Sequence, residues 1–314
     1  MKSLRVVFMG TPDFAVPCLE ALLAAGHEVA AVITQPDRPR GRGRKLSFSP
    51  VKACAVEHGL EVLQPEKIKT PEFEQVLQEL APDVMVVVAF GQILSPAILA
   101  IPPLGCINVH ASLLPYYRGA APIHWAVMQG EEKTGVTTMY MDEGLDTGDM
   151  ILKSEIAITQ DASTGDIHDQ LMQEGAALLR ETLALIAEGK APRAKQDHTV
   201  STYAPLLKAE IEQLDWTLSA QELHNRIRGL SPWPGAYCRY AGGRLKVWKS
   251  RVCEEAAAEG AIPGRIARLS VEGFVVETGD GLLELLEVQP ENKRRMKASE
   301  CACGYSLQPG DRLV

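Results

Sequence analysis

In the first half of the chain, apolar runs alternate with helix-spaced patterns. "LRVVFMG" near the N-terminus, "EVAAVIT" from Glu28 and "PDVMVVVAF" from Pro82 are nearly continuous apolar stretches. Runs of that kind suit strands of a sheet covered on both faces. "FAVPCLEALLAAG" places its apolar residues at helical spacing and stops at Gly26. "GCINVHA", "GVTTMYM" and "GDMILKSEIAI" continue the strand series, and "TGDIHDQLMQEGAALLRETLALIAEG" predicts a long helix ending at Gly189. Strands alternating with helices predict an α/β fold with an open sheet over residues 1–189.

The pattern changes after Gly189. "KAPRAKQDHTVSTYAPLLKAE" has little periodicity and predicts a linker over 190–208. "SAQELHNRIRGL" predicts a helix, with Ser219 and Glu222 at capping-box spacing. Short apolar segments punctuated by Gly-Gly, Glu-Gly and Gly-Asp-Gly follow. They predict hairpins of a small β-barrel in a second domain, 209–314.

Composition narrows the function classes. The chain has 314 residues, 46% of them hydrophobic, as in a soluble globular protein. A net charge of -8 argues against general coating of nucleic acid, but not against a local basic patch. No run reaches membrane-spanning length, and the N-terminus runs straight into a strand, so a cytoplasmic protein with no membrane contact is expected. The seven cysteines are odd in number and scattered, as reduced thiols would be. Only Cys301 and Cys303 sit close together, and no second pair completes a zinc pattern.

Several motifs fail. "GTPDFA" after the first strand lacks the G-x-G-x-x-G fingerprint, and "GRGRKL" has Leu46 at its third glycine position. No phosphate-binding P-loop is present. "DEGLDTGD" counted as a calcium loop from Asp142 puts Gly144 at a ligand position and Lys153 where a bidentate Glu belongs.

One constellation survives, in "GCINVHASLLPYYRGAAPIHW". On a strand, Asn108 and His110 share a face, roughly 6–7 Å apart along the backbone. An amide and an imidazole there can converge on one carbonyl, beyond the carboxyl end of the strand, where ligands of open α/β sheets bind. "MDEGLDTGD" also follows a strand, so a carboxylate reaches the same rim. Spacing does not choose among Asp142, Asp146 and Asp149. A second cluster is "TQPDRPRGRGRKLSFSPVK", where Arg38, Arg40, Arg42, Arg44 and Lys45 place five positive charges within eight positions. A phosphate backbone would call for such a loop, and a small acceptor would not.

"CINVHASLLPYYRGAAPI" together with "GLDTGDMI" resembles the folate-dependent formyltransferase family. The resemblance implies a catalytic trio at Asn108, His110 and Asp146. It implies a folate-lining loop at Ser112, Leu113, Leu114 and Pro115, and a pterin pocket near Val87 to Leu94 and the backbone after Tyr140. Motifs along almost the whole chain, from "FMGTPDFA" through "TQPDRPRGRG" to "SPWPGAY" and "VWKS", are similar to the members that formylate methionine on initiator tRNA. The implied donor is 10-formyltetrahydrofolate, and no metal is called for. The implied fold is a Rossmann-like N-terminal domain followed by an OB-like barrel that adds tRNA contacts. Candidates for those contacts are Arg244, Lys246, Lys249, Lys293, Arg294, Arg295 and Lys297. In that family the basic loop reaches towards the tRNA acceptor end, with Arg42 at the key position, and a monomer is expected. The trio alone would equally fit formylation of an aminosugar or of glycinamide ribonucleotide. The basic loop and second domain separate these readings.

Overall fold

The computed structural model describes residues 2–40, 45–240 and 243–314. The chain packs as two units. One gathers Met1–Ala120, Thr134–Ile156 and His168–Ala204; the other gathers Ala121–Lys133, Ala157–Ile167 and Pro205–Val314.

In chain order the elements begin with β1 (Arg5–Gly10), α1 (Val16–Ala24) and β2 (Glu28–Ile33). A hairpin follows, β3 (Arg38–Arg40) with β4 (Lys45–Ser47), then α2 (Pro50–Glu57) and β5 (Val62–Leu63). Next come α3 (Pro71–Glu79), β6 (Val84–Val88), α4 (Pro96–Leu99), β7 (Cys106–His110) and β8 (Arg118–Gly119). After α5 (Pro122–Met128), which belongs to the second unit, come β9 (Lys133–Tyr140), β10 (Met150–Ala157), α6 (Thr164–Ala187) and β11 (Tyr203–Ala204).

The first unit is built on a seven-stranded sheet in the order β10-β9-β7-β6-β1-β2-β5. The five strands from β7 to β5 run parallel, and β9 is antiparallel to β7. The apolar runs of the sequence are its centre: β6 is buried along its whole length. Val7, Met9, Ile33, Met85 and Val87 form one side of a core that Ile68, Leu77 and Ile98 cover. Helix starts follow local chemistry: Ser49 and Thr70 accept hydrogen bonds from the backbone of Lys52 and Phe73, and a proline opens each helix. The fold expected from the alternation is therefore present, with both predicted terminators, Gly26 and Gly189, at positive φ.

The expected linker is corrected. Residues 190–204 are held to the first unit, because they supply partners that its loops lack. Met150 pairs with Ala194, Gln196 is buried, and β11 runs parallel to β8. The boundary falls between Ala204 and Pro205.

The second unit contains α5, α7 (Ala220–Gly229), β12 (Ala236–Tyr240), β13 (Gly243–Val252), β14 (Ile266–Leu269), β15 (Phe274–Glu277), β16 (Leu282–Pro290), β17 (Met296–Lys297) and α8 (Ala298–Gly304). Its sheet follows β12-β13-β16-β15-β14, with β17 against β16, and these strands pair antiparallel. The capping box predicted at Ser219 and Glu222 starts α7, whose Leu223 and Ile227 join Val247, Phe274 and Leu283 in one core. Residues 310–314 bond to both edge strands of the sheet. Gly310 N donates to Ile266 O, and Val314 exchanges two bonds with Arg239. The tail thus spans from β14 to β12, which closes the path in the manner of a small barrel.

Candidate active site

The carboxyl ends of the parallel strands make one rim. Strand order reverses direction between β1 and β6, the position where open α/β sheets bind ligands. The loops there are tied together: Thr11, after β1, and Gln35, after β2, both donate to Phe90 O, at 3.0 and 3.1 Å. Two large apolar side chains stand exposed on loops of this rim, Ile93 after β6 and Tyr116 after β7. Leu145 is exposed on the loop after β9. Because β9 is antiparallel to β7, that loop leaves from the other end of the strand and carries Asp146 back to Asn108.

Strand β7 carries Asn108 and His110 on one face, with Val109 buried on the other. Their carboxylate partner is Asp146. Asn108 Nδ2 donates to Asp146 Oδ1 at 3.2 Å, and the Gly119 backbone N–H donates to Oδ2 at 2.9 Å. His110 Nδ1 lies 3.7 Å from the same Oδ2. The other ring nitrogen, Nε2, donates to Tyr117 O at 3.0 Å; a carbonyl oxygen only accepts, so Nε2 carries the proton. The His110 and Asp146 side chains are 6% and 13% exposed, so their mutual field is little screened.

The alternatives to Asp146 are otherwise engaged. Asp142 Oδ1 accepts from Gly144 N and Thr147 Oγ1 within its own turn, and Asp149 lies 3.9 Å from Arg193. Asp146 itself sits at φ +53°, a left-handed conformation that Asp adopts more readily than most residues. Gly148 lets the turn fold tightly, since a Cβ there would come within 1.8 Å of Tyr140 O.

Two residues outside the expected set hold this turn. Gln196 Nε2 donates to Asp146 O and to Gly148 O, each at 2.8 Å. Its Oε1 accepts from Arg118 Nε and Nη2 at 3.1 and 2.7 Å. Gln196 lies 50 residues from Asp146 in sequence, in a stretch without periodicity, so no local signal marks it. Arg118 stands out only as a charged residue in the Gly- and Pro-rich loop after His110.

The loop expected to line folate divides by burial. Ser112 and Leu114 are wholly buried: Ser112 Oγ donates to Tyr116 O, and the backbone of both residues bonds to Thr137 Oγ1. Their side chains shape the loop from inside. Leu113 and Pro115 are half-buried and form its accessible side. Lys153 donates to Leu114 O, and burial lowers its ammonium pKa.

Of the basic loop, Arg38 is exposed at the start of the β3–β4 hairpin. Arg40 and Lys45 are paired across that hairpin through their backbones, while Arg42 and Arg44 lie outside the described residues. In the second unit, β13 presents Arg244, Lys246 and Trp248 on its accessible face, until the register shifts after Val247 and brings Lys249 and Arg251 outward. Arg244 stacks on Tyr237 and Arg295 on Trp248, with guanidinium-to-ring distances of 4.0 and 3.6 Å. Lys249, Lys293, Arg294 and Lys297 are exposed. Lys246 is partly buried and donates to Pro234 O.

The sequence matches the formyl transferase family over residues 4–183 and the formyl transferase C-terminal domain over 206–306. Methionyl-tRNA formyltransferase of Moorella thermoacetica is 55% identical over 99% of both chains. The enzyme of the same name from Desulforamulus reducens is 51% identical over 99% of this chain and 98% of its own. Among solved structures, the sugar 3N-formyl transferase WlaRD, in the presence of dTDP and 5-N-formyl-THF, superposes with a TM-score of 0.67 at 20% identity, over 94% of this chain and 100% of that one. HypX from Aquifex aeolicus in complex with tetrahydrofolic acid gives 0.65 at 16% identity, over 99% of this chain and 49% of that one. Two family domains in sequence and near full-length identity of about half place the chain plainly: it belongs to the formyl transferase family, in the methionyl-tRNA formyltransferase branch.

Proposed function

We propose that this chain transfers the formyl group of 10-formyltetrahydrofolate to the α-amine of methionine on initiator tRNA, with Asn108, His110 and Asp146 as its catalytic groups. The observation that carries the residue assignment is the Asp146 carboxylate, shared between the Asn108 amide and the His110 imidazole at the carboxyl end of β7. The exposed Ile93, Tyr116 and Leu145, with Leu113 and Pro115, offer apolar surface to the flat rings of folate.

The amine attacks the formyl carbon directly, so no enzyme nucleophile is needed. The tetrahedral adduct carries a negative oxygen. Asn108 Nδ2 has two hydrogens; one goes to Asp146, and the second is the donor for that oxygen. Such a donor contributes about 10²–10³ in rate. The attacking nitrogen must shed a proton, and the folate nitrogen must gain one. With the Nε2 hydrogen bonded to Tyr117 O, Nδ1 is the imidazole atom with a lone pair to accept it. The imidazolium then faces Asp146 and returns the proton to the leaving nitrogen, worth about 10²–10⁴.

The basic hairpin and the stacked cations of the second unit support tRNA as the acceptor, in a monomeric cytoplasmic enzyme. No helix among the described residues is long and apolar enough to cross a membrane. The test uses radiolabelled 10-formyltetrahydrofolate, with methionyl initiator tRNA and free methionine as parallel acceptors. Label is expected on the tRNA-bound methionine alone. Asn108→Ala should lower kcat about 100-fold while tRNA affinity is unchanged. Undiminished turnover in Asn108→Ala and His110→Ala would remove the trio from the mechanism. Label on free methionine or release of formate would overturn the acceptor.

A further inference from the structure

Helices α1 and α2 pack against each other in the first unit. Three ligand-type side chains meet there. Cys54 lies on α2, and His58 is the residue that caps its C-terminus, one turn further on. His58 N bonds back to Cys54 O, so the two side chains leave the same face. Glu20 comes from α1. The Cys54 sulfur, an imidazole nitrogen of His58 and a carboxylate oxygen of Glu20 all lie within 4.8 Å of one another. Among the described residues no other such group brings its ligand atoms this close.

We propose that Glu20, Cys54 and His58 form a binding site for a divalent transition-metal ion, with zinc the best fit. One thiolate, one imidazole and one carboxylate match a borderline-soft ion, whereas magnesium or calcium would want oxygen ligands only. Zinc at its usual bond lengths of about 2.0–2.3 Å sets its ligands roughly 3.5 Å apart. Small rotations of the exposed Glu20 and His58 side chains cover the difference, while the buried Cys54 stays as the fixed ligand. Water completes the tetrahedron from the solvent side. On binding, the S–H bond of Cys54 breaks, a sulfur–metal bond forms, and the proton passes to solvent.

The surroundings favour a cation. Glu57, the residue before His58, adds a second exposed carboxylate beside Glu20, and negative charge there attracts a dication. The ion would join two helices that are far apart in pairing terms but adjacent in the fold. Helix α2 also begins directly after the basic β3–β4 hairpin. A metal tie to α1 therefore anchors the base of that hairpin.

The full chain, stripped with a chelator and then dialysed, is titrated with zinc against a chromophoric chelator, and separately with cobalt(II). One equivalent should bind, cobalt should produce a near-ultraviolet thiolate charge-transfer band, and Tm should rise on zinc addition. His58→Ala and Glu20→Gln alter exposed residues, so both should fold. Each should weaken zinc binding by about tenfold or more, and Cys54→Ser should abolish the cobalt band. Cys303→Ser, at an exposed thiol, should change nothing. No binding, or binding that survives His58→Ala and Glu20→Gln unchanged, overturns the site.

Discussion

Asp146 shows how much of this site depends on single hydrogen bonds. Its two oxygens are taken by Asn108 and Gly119, and its backbone is held by Gln196 in a conformation that ordinary residues avoid. Gln196 is therefore a positioning residue. Gln196→Leu removes both donors to the turn and the oxygen that accepts from Arg118 Nε and Nη2, leaving that buried guanidinium only its contact with His198 Nδ1. A carboxylate displaced by about 1 Å costs roughly 10²-fold. We expect kcat to fall 10- to 100-fold with KM for both substrates nearly unchanged. A raised KM at constant kcat would show that Gln196 serves binding rather than the placement of Asp146. The shared face of Asn108 and His110 was readable from strand alternation alone. Gln196 was not, because its partners belong to a turn 50 residues away.

At the scale of elements, the strands and the long helix follow their hydrophobic periods closely. The short pairings do not. The two-residue strands β8 and β11 exist because one loop supplies hydrogen-bond partners to another, which no local pattern encodes. The basic segment is a similar case: a run of alternating Arg and Gly reads as an open loop, yet its flanks pair as β3 and β4. If that hairpin carries charge to a phosphate backbone, Arg42→Ala should weaken tRNA-dependent turnover. The slope of log affinity against log salt should also flatten by about one unit. Turnover measured over a salt series reads both effects, and an unaltered slope would mean Arg42 touches no phosphate.

For the whole molecule, the two units are stabilised differently. The first rests on a broad apolar sheet core. The second adds to its own apolar core two buried carboxylates paired with partly exposed arginines: Glu277 takes two bonds from Arg265, and Glu284 bonds Arg251 and Ser270. Burial raises both carboxyls, but the hydrogen bonds and charges of their partners outweigh it, and both end below the ordinary value. A carboxylate with a depressed folded pKa stabilises above the unfolded pKa, and that share is lost as pH falls through the folded one. The second unit should therefore weaken below about pH 4, where an ordinary Glu protonates. Glu277→Gln should destabilise by about 1.5–3 kcal/mol at neutral pH and flatten the acid limb. Denaturant melts at pH 7 and pH 3.5, followed by Trp216 and Trp248 fluorescence from the second unit, measure this. An equal acid limb in the variant would place the sensitive groups elsewhere.

The alternation of apolar runs and helical patterns was enough to establish the α/β class, the second domain of hairpins, and the strand on which Asn108 and His110 share a face. Side-chain period is a local property, and burial of a run requires only that the run exist. Motif likeness added the trio and the acceptor class. Three matters rested on contacts between distant segments. Tertiary structure brought Asp146, and not Asp142 or Asp149, to Asn108 and His110, because, of the three carboxylates on that loop, its own bonds Asn108 and Gly119. It bound residues 190–204 to the first unit instead of leaving them as a linker. It also brought Glu20 to Cys54 and His58, a grouping that cysteine spacing could not reveal because its members stand on different helices.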